Sequence, residues 1–441
     1  MTLDMTRGRP SGLLIRFALP LMLSSLLQQL YTMCDSMIMG QMLGTEAFAA
    51  IGSAAYLQWF PLSMLLGCTQ GFGVPLAQRY GARDMAGFRR FLTGGILLTA
   101  LVGTVLSVGG VCMAEQMLTL LQTPSELMAL CARYLRVLWS GLLTTAMLNI
   151  LSSALRAMGD SRTPFYGLIL STVLNIALDY LFLAGLHMGV AGAALATVLS
   201  QAAACGWCLR GLLRVRDAVP ARSDWKLRRP VVRELLRLGV PPLICNAITS
   251  TGELLVLRAI NLFGVAFVTG MSASRRYFSL LNIVGSAMQG SVATYVGQNY
   301  GAREKARVVR GVRVAVLMEL AAALLTGIAV TLAAKPLILL FIPDGTEEMI
   351  RFGTESLRVQ ALFVSGLSLL CTYRAAIQGT GTAILPMLSG FLELVLRAGG
   401  ALLLPMWFGQ TGLYYTDAVT WVLTTILLWI SYQVIRRRRL Q

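Results

Sequence analysis

The chain has 441 residues, of which 56% are hydrophobic and only 13% charged, and its mean hydropathy is positive. That balance excludes an ordinary soluble enzyme and a disordered chain, and it describes a protein that crosses a membrane many times. The formal charge of +17 does not signal nucleic acid: the arginines gather in the N-terminal arm, in alternate connectors and in the tail Arg436 to Arg439. That distribution obeys the positive-inside rule.

Twelve helical spans are expected, near residues 13–40, 48–78, 91–113, 131–156, 164–186, 189–211, 235–263, 266–297, 310–334, 355–378, 384–407 and 412–435. An even number of spans with basic ends predicts both termini on the cytoplasmic side of the membrane. The first span is too long for the apolar core of a signal peptide and no small-residue cleavage site follows it. Its polar residues Gln28, Tyr31 and Asp35 fall at i, i+3 and i+7, on one side of a helix. A carboxylate at bilayer depth costs on the order of 3 kcal/mol, so this stripe is expected to face a cavity or a partner helix and to carry a cation or proton. The fifth span repeats the pattern with Asn175 and Asp179 at i, i+4, and the sixth adds Thr197 beside a small-residue run, GVAGAALAT. Two acids, an amide and a hydroxyl are hard oxygen ligands suited to a proton or to Na⁺.

The longest connector, 213–234, falls at the midpoint of the chain and reads as a solvated linker. It separates a first six-helix lobe, 1–212, from a second, 235–441 with a basic tail. The lobes repeat. AQRYGARDMAGFRR at 77–90 matches GQNYGAREKARVVR at 297–310, LRAMGDSRTP at 155–164 matches IQGTGTAILP at 377–386, and IRFALPLM matches LRLGVPPL. Since six is even, both copies enter from the same side, as in parallel repeats that place a substrate cavity between two halves. The second copy lacks the acids. Asn175 corresponds to Arg397, Asp179 to Ala401 and Asp35 to about Val256, so the cation site is expected in the first lobe alone.

The seventh span has its own stripe, Asn246, Ser250 and Glu253, with Arg258 as a partner for the acid. Glu393 and Arg397, at i, i+4, are expected to form a structural ion pair. Glu319, Arg374 and Asp417 lie nearer span ends, while Arg275 and Arg276 have no evident acid. His187, the only histidine, falls in an outer loop, and eight scattered cysteines, Cys205 and Cys208 among them, read as packing. None of the three lysines follows a glycine, so no phosphate-binding loop and no ATPase subunit are implied.

The run FALPLMLSSLLQQLYTMCDSMIMGQMLGTEAFAAIG, with QRYGARD, LRAMGDSRTP, NIALDYLFLAGLHMGVAGAALATVLSQ and VGQNYGARE, resembles the multidrug and toxic compound extrusion (MATE) transporters, and most nearly their DinF-like bacterial branch. The resemblance implies an all-α polytopic fold of twelve transmembrane helices in two pseudo-symmetric six-helix bundles. It implies no enzyme and no cofactor, only H⁺ or Na⁺ exchanged for small organic compounds, mostly amphipathic cations. It maps the cation site onto Asp35, Asn175, Asp179 and Thr197 and the cavity onto Gln28, Tyr31 and Asn149, to which Glu253 is added. It makes Pro20 a point where the first helix can bend. Acids expected in the seventh and tenth helices of some branches are displaced or absent here, at Glu253 and at Phe363 and Leu367. The rival reading is a lipid-linked saccharide flippase of related fold, which Arg275, Arg276 and Arg397 would serve.

Overall fold

The computed structural model describes the backbone of residues 3–120, 123 and 125–440, and the side chains of all of these but 36, 40, 44–53, 55, 56 and 126. The regular structure is entirely helical among the described residues. In chain order the helices are α1 (Pro10–Gly81), α2 (Met85–Leu120), α3 (Ser125–Ser140), α4 (Leu142–Ala157), α5 (Arg162–Asp179), α6 (Val190–Leu213), α7 (Arg229–Asn261), α8 (Gly264–Gly301), α9 (Lys305–Phe341), α10 (Glu347–Gly379), α11 (Ile384–Phe408) and α12 (Leu413–Ile435). In a bilayer every backbone N–H and C=O must be satisfied within the chain, and uninterrupted helices do this.

Among the described residues nine stretches are long and apolar enough to cross a membrane, or ten when the bent pair α3–α4 is taken as one span. The difference from the expected twelve has local causes. The stretches Pro10–Leu43 and Leu57–Gly81 both lie within α1, and the span expected at 131–156 is broken by 44° between Ser140 and Leu142. The span expected at 266–297 lies in α8, which has the length and only two charges, Arg275 and Arg276, but falls short in hydropathy. The last two merge into one apolar stretch, Ile384–Leu440, interrupted by the 3₁₀ turn Gly409–Gly412.

The chain forms two compact units, Met1–Asp4 with Leu23–Leu243 and Met5–Met22 with Ile244–Gln441. A linear division into 1–212 and 235–441 does not contain this trade of helix openings. The start of α7 packs in the first unit, where a Cβ on Gly71 would lie 2.2 Å from the Leu238 carbonyl oxygen and one on Gly239 would lie 2.3 Å from the Phe72 ring. Only glycine permits that approach. The start of α1 packs in the second unit, where Ser291 Oγ donates to the Leu14 carbonyl at 3.0 Å. Each helix passes from one unit to the other just beyond a proline, Pro20 in α1 and Pro242 in α7.

The backbone also records the repeat. Six of the residues with positive φ form pairs across the repeat: Arg83 (58°) and Arg303 (61°), Gly159 (84°) and Gly381 (79°), Gly189 (62°) and Gly409 (60°). The last two share ψ as well, −151° and −154°.

The 213–234 connector is folded onto the first unit through Asp224. Its carboxylate accepts from Arg89 Nε at 3.0 Å and from the Ala221 amide at 3.0 Å, and its carbonyl accepts from Thr93 Oγ1 at 2.7 Å. Burial alone would push the Asp224 carboxyl up; the Ala221 amide and the Arg89 and Arg90 guanidiniums outweigh it and hold it below the usual carboxylate range.

Candidate functional site

Asp179 closes α5, and the backbone beyond it, Tyr180–Gly185, winds into a wider π-helical turn. Such turns loosen the regular ladder and recur at functional positions. Asp179 and Asn175 are completely buried on one face of α5. Against them α1 sets Asp35, and the two carboxyl groups are hydrogen-bonded to each other. A hydrogen bond between two carboxyl groups needs a proton on one of them. The remaining Oδ1 atoms of both acids have no partner among the described residues.

The neutral ligands surround this pair. Asn175 Nδ2 lies 3.5 Å from Thr197 Oγ1. With the amide turned, it instead donates to Asp179 Oδ2 at 3.1 Å and its oxygen accepts from the Thr197 amide at 3.3 Å. The turned form satisfies more groups and places a donor against an acid. Thr197 Oγ1 donates to the Ala193 carbonyl at 3.2 Å and is hydrogen-bonded to the Tyr31 hydroxyl. Thus Tyr31, Asp35, Asn175, Asp179 and Thr197, spread over α1, α5 and α6, form one polar group inside the apolar core of the first unit. That core includes Ile38, Met39, Leu183, Val190 and Ala193.

Asn149 is half-buried on α4 and donates to the Thr145 carbonyl at 2.9 Å, while Thr145 Oγ1 donates to Gln201 of α6. Gln28 is exposed, one turn before Tyr31 on α1, and Pro20 is buried within the part of α1 that belongs to the second unit. Two residues of this neighbourhood were not singled out from the sequence. Tyr134 of α3 is buried close enough to interact electrostatically with Asp35, Asp179 and Tyr31. Gln201 stands one turn beyond Thr197 on the same face of α6, a spacing that could have flagged it.

The second unit places a different chemistry at the matching positions. Arg397 donates to Asp417 at 3.0 Å and to Glu393 at 3.4 Å, and Glu393 also pairs with Arg374. Arg374 donates further to Ser389 at 2.9 Å. The expected Glu393–Arg397 pair is therefore the centre of a chain of two cations and two acids across α10, α11 and α12. Glu253 is exposed on α7 and forms no ion pair with Arg258 among the described residues. Arg276 lies over the Phe341 ring at 5.7 Å.

A family model described as MatE matches residues 20–181 and again residues 241–403, one match in each half of the repeat. The chain belongs to the MatE family. Among its MatE relatives, the probable multidrug resistance protein YpnP of Bacillus subtilis is 26% identical over 98% of this chain and 96% of its own length. The probable multidrug resistance protein YoeA of the same organism is 30% identical over 69% of this chain and 67% of its own. A solved structure described as the outward-facing conformation of a multidrug resistance MATE family transporter of the MOP superfamily is similar with a TM-score of 0.92. It is 22% identical, covering 99% of this chain and 98% of that one. The MatE fold is thus present over almost the whole length, in a multi-pass membrane transporter rather than an enzyme.

Proposed function

We propose that this MATE-type transporter is a secondary-active multidrug exporter of the DinF-like branch, exchanging H⁺ or Na⁺ for small organic, mostly cationic amphipathic compounds by alternating access. The observation that carries the proposal is the hydrogen-bonded pair Asp35–Asp179 with Asn175, Thr197 and Tyr31 around it. A pair of acids that shares one proton can release it to make way for a cation, and the open Oδ1 atoms offer the same set to Na⁺. Gln28, Asn149 and Glu253 serve as cavity groups, and Pro20 gives α1 a place to bend as the acids change charge. Coupling requires that the ion and the substrate favour different conformations. The twelve-span reading, with both termini and the 213–234 connector in the cytoplasm of a bacterial inner membrane, belongs to the same proposal. The names of the two Bacillus relatives support its multidrug part.

The flippase reading needs free positive charge for a pyrophosphate. Arg397 is taken up by Glu393 and Asp417, which removes one of the three arginines, Arg275, Arg276 and Arg397, on which that reading rests.

The test is efflux of a fluorescent organic cation from proteoliposomes, for wild type and Asp35→Asn, under separately imposed H⁺ and Na⁺ gradients. One gradient is expected to drive wild-type efflux, and the substitution is expected to abolish it. Full gradient-driven export by Asp35→Asn would sink the assignment of this acid.

A further inference from the structure

Helix α9 carries a single acid within its apolar length, and it is one of the most deeply buried acids of the chain: Glu319 is 1% exposed. Neither carboxylate oxygen has a well-aligned hydrogen-bond partner among the described residues. The side chain it faces is the Ser368 hydroxyl of α10. On the third helix of this group, α8, Asn282 Oδ1 is likewise buried without a partner. Ser368 Oγ and Asn282 Oδ1 each lie 3.4 Å from the point that a Cβ on Gly285 would occupy. The missing side chain of Gly285 therefore keeps open a space on which these polar atoms converge. Thr372, one turn beyond Ser368 on α10, is fully buried and its hydroxyl is also unpartnered.

No ion pair reaches Glu319 among the described residues. From α10 it is approached by Ser368 and the Cys371 thiol, and on α8 the neutral Asn282 shares with Ser368 the space beside Gly285. Arg374, the cation nearest in sequence on α10, is committed to Glu393 and Ser389. In the tail that meets α9, Arg439 donates to Thr382. An isolated ionised carboxylate would be far too costly in such surroundings. The group must be neutral here, and a neutral acid in an oxygen-lined space is a held proton.

We propose that Glu319, with Ser368 as its polar partner, is a second proton-exchange site, located in the second unit and separate from the Asp35–Asp179 pair. The step is simple: the Glu319 carboxylic acid gives its proton to water when the space beside Gly285 opens to solvent, and the carboxylate takes one back before it closes. The use of this step in a transport cycle rests on the exporter reading; the exchange itself does not.

The experiment follows the infrared carbonyl stretch of protonated carboxyl groups in the full-length reconstituted protein, in H₂O and D₂O, as pH is raised. Glu319→Gln, neutral and of the same size, is expected to keep the wild-type melting temperature and to lose one band that Asp35→Asn retains. In wild type that band should shift in D₂O and vanish as pH rises, with a midpoint moved by Ser368→Ala. A band that neither shifts in D₂O nor disappears while the protein remains folded would overturn the proposal, leaving Glu319 a sealed structural acid. So would identical spectra for wild type and Glu319→Gln. A second arm measures proton release when ethidium is added to weakly buffered protein. Less release in Glu319→Gln than in wild type places the site in the cycle. A titrating band with no ethidium-linked release in wild type leaves the exchange site standing and defeats the H⁺-coupled form of the exporter reading instead.

Discussion

The fifth span of the first half and the matching span of the second share a place in the repeat and almost nothing in chemistry. Around α5, acids meet acids and neutral ligands: Asp179 touches Asp35, and Oδ1 atoms remain open. Around α11, each acid is answered by an arginine, and Arg397 stands where Asn175 stands in the first half. The backbone differs as well, since α5 gives way to a π-helical turn directly after Asp179 whereas α11 continues through Ala401 to Phe408. An ion-binding site needs charge that is left unsatisfied by the protein, while a structural network needs the opposite. The duplicated fold supplies an open polar group in one half and a closed ion-pair network in the other.

The largest expected effect sharpens that contrast. Glu393→Gln leaves the buried Arg374 without its acid and Arg397 with Asp417 alone, and breaking a buried pair in this way costs about 3–5 kcal/mol. It should lower the melting temperature in detergent steeply, whereas Asp35→Asn, which relieves an acid–acid contact, should leave it unchanged or higher. Equal losses from the two substitutions would erase the distinction between a working site and a structural network.

A smaller pair of effects tests where the halves still agree. Gly189 and Gly409 have nearly the same φ and ψ, and a Cβ on either would meet nothing within 4 Å. Alanine at each position therefore probes backbone strain alone, about 1–3 kcal/mol, and the two melting curves should shift by similar amounts. Unequal shifts would show that the turns differ in how firmly their surroundings hold them.

The smallest effect concerns the connector, which the first unit holds. Because the Asp224 carboxyl sits below its ordinary value when folded, its contribution is complete above the unfolded value of about 4 and is lost as pH falls through the folded one. Asp224→Asn should loosen the connector by about 1 kcal/mol at neutral pH. Limited proteolysis within 213–228 should become faster in the variant, and the acid-induced loosening of wild type should disappear from it.

Much of this was legible in the residues. Helical spacing alone put Gln28, Tyr31 and Asp35 on one face and Asn175 with Asp179 on another, and the repeat offset located Arg397 and Ala401. Tertiary packing was not legible. Tyr134 lies in α3 with no polar residue at helical spacing to flag it beside Asp35 and Asp179. The facing of Glu319 by Ser368, and the meeting of Ser368 with Asn282 beside Gly285, come from three helices with no common spacing. The extension of the Glu393–Arg397 pair to Arg374 and Asp417 likewise needed the helices to be assembled. The exchange of helix openings escaped because hydropathy reports what a helix avoids, not which neighbours it chooses.

The turns at Arg83 and Arg303 bear on ancestry. An L-residue in the left-handed region is disfavoured by roughly 1–2 kcal/mol, and glycine would relieve it, yet both halves hold arginine there at φ of 58° and 61°. Two independent inventions of the same costly turn, in the same Tyr-Gly-Ala-Arg setting, are a poor account of the coincidence. The turn was already present in a six-helix ancestor before its gene doubled. Asp179 and Ala401, on backbones that share this inheritance, record a later parting, so the chemical difference between the halves is younger than the architecture that carries it.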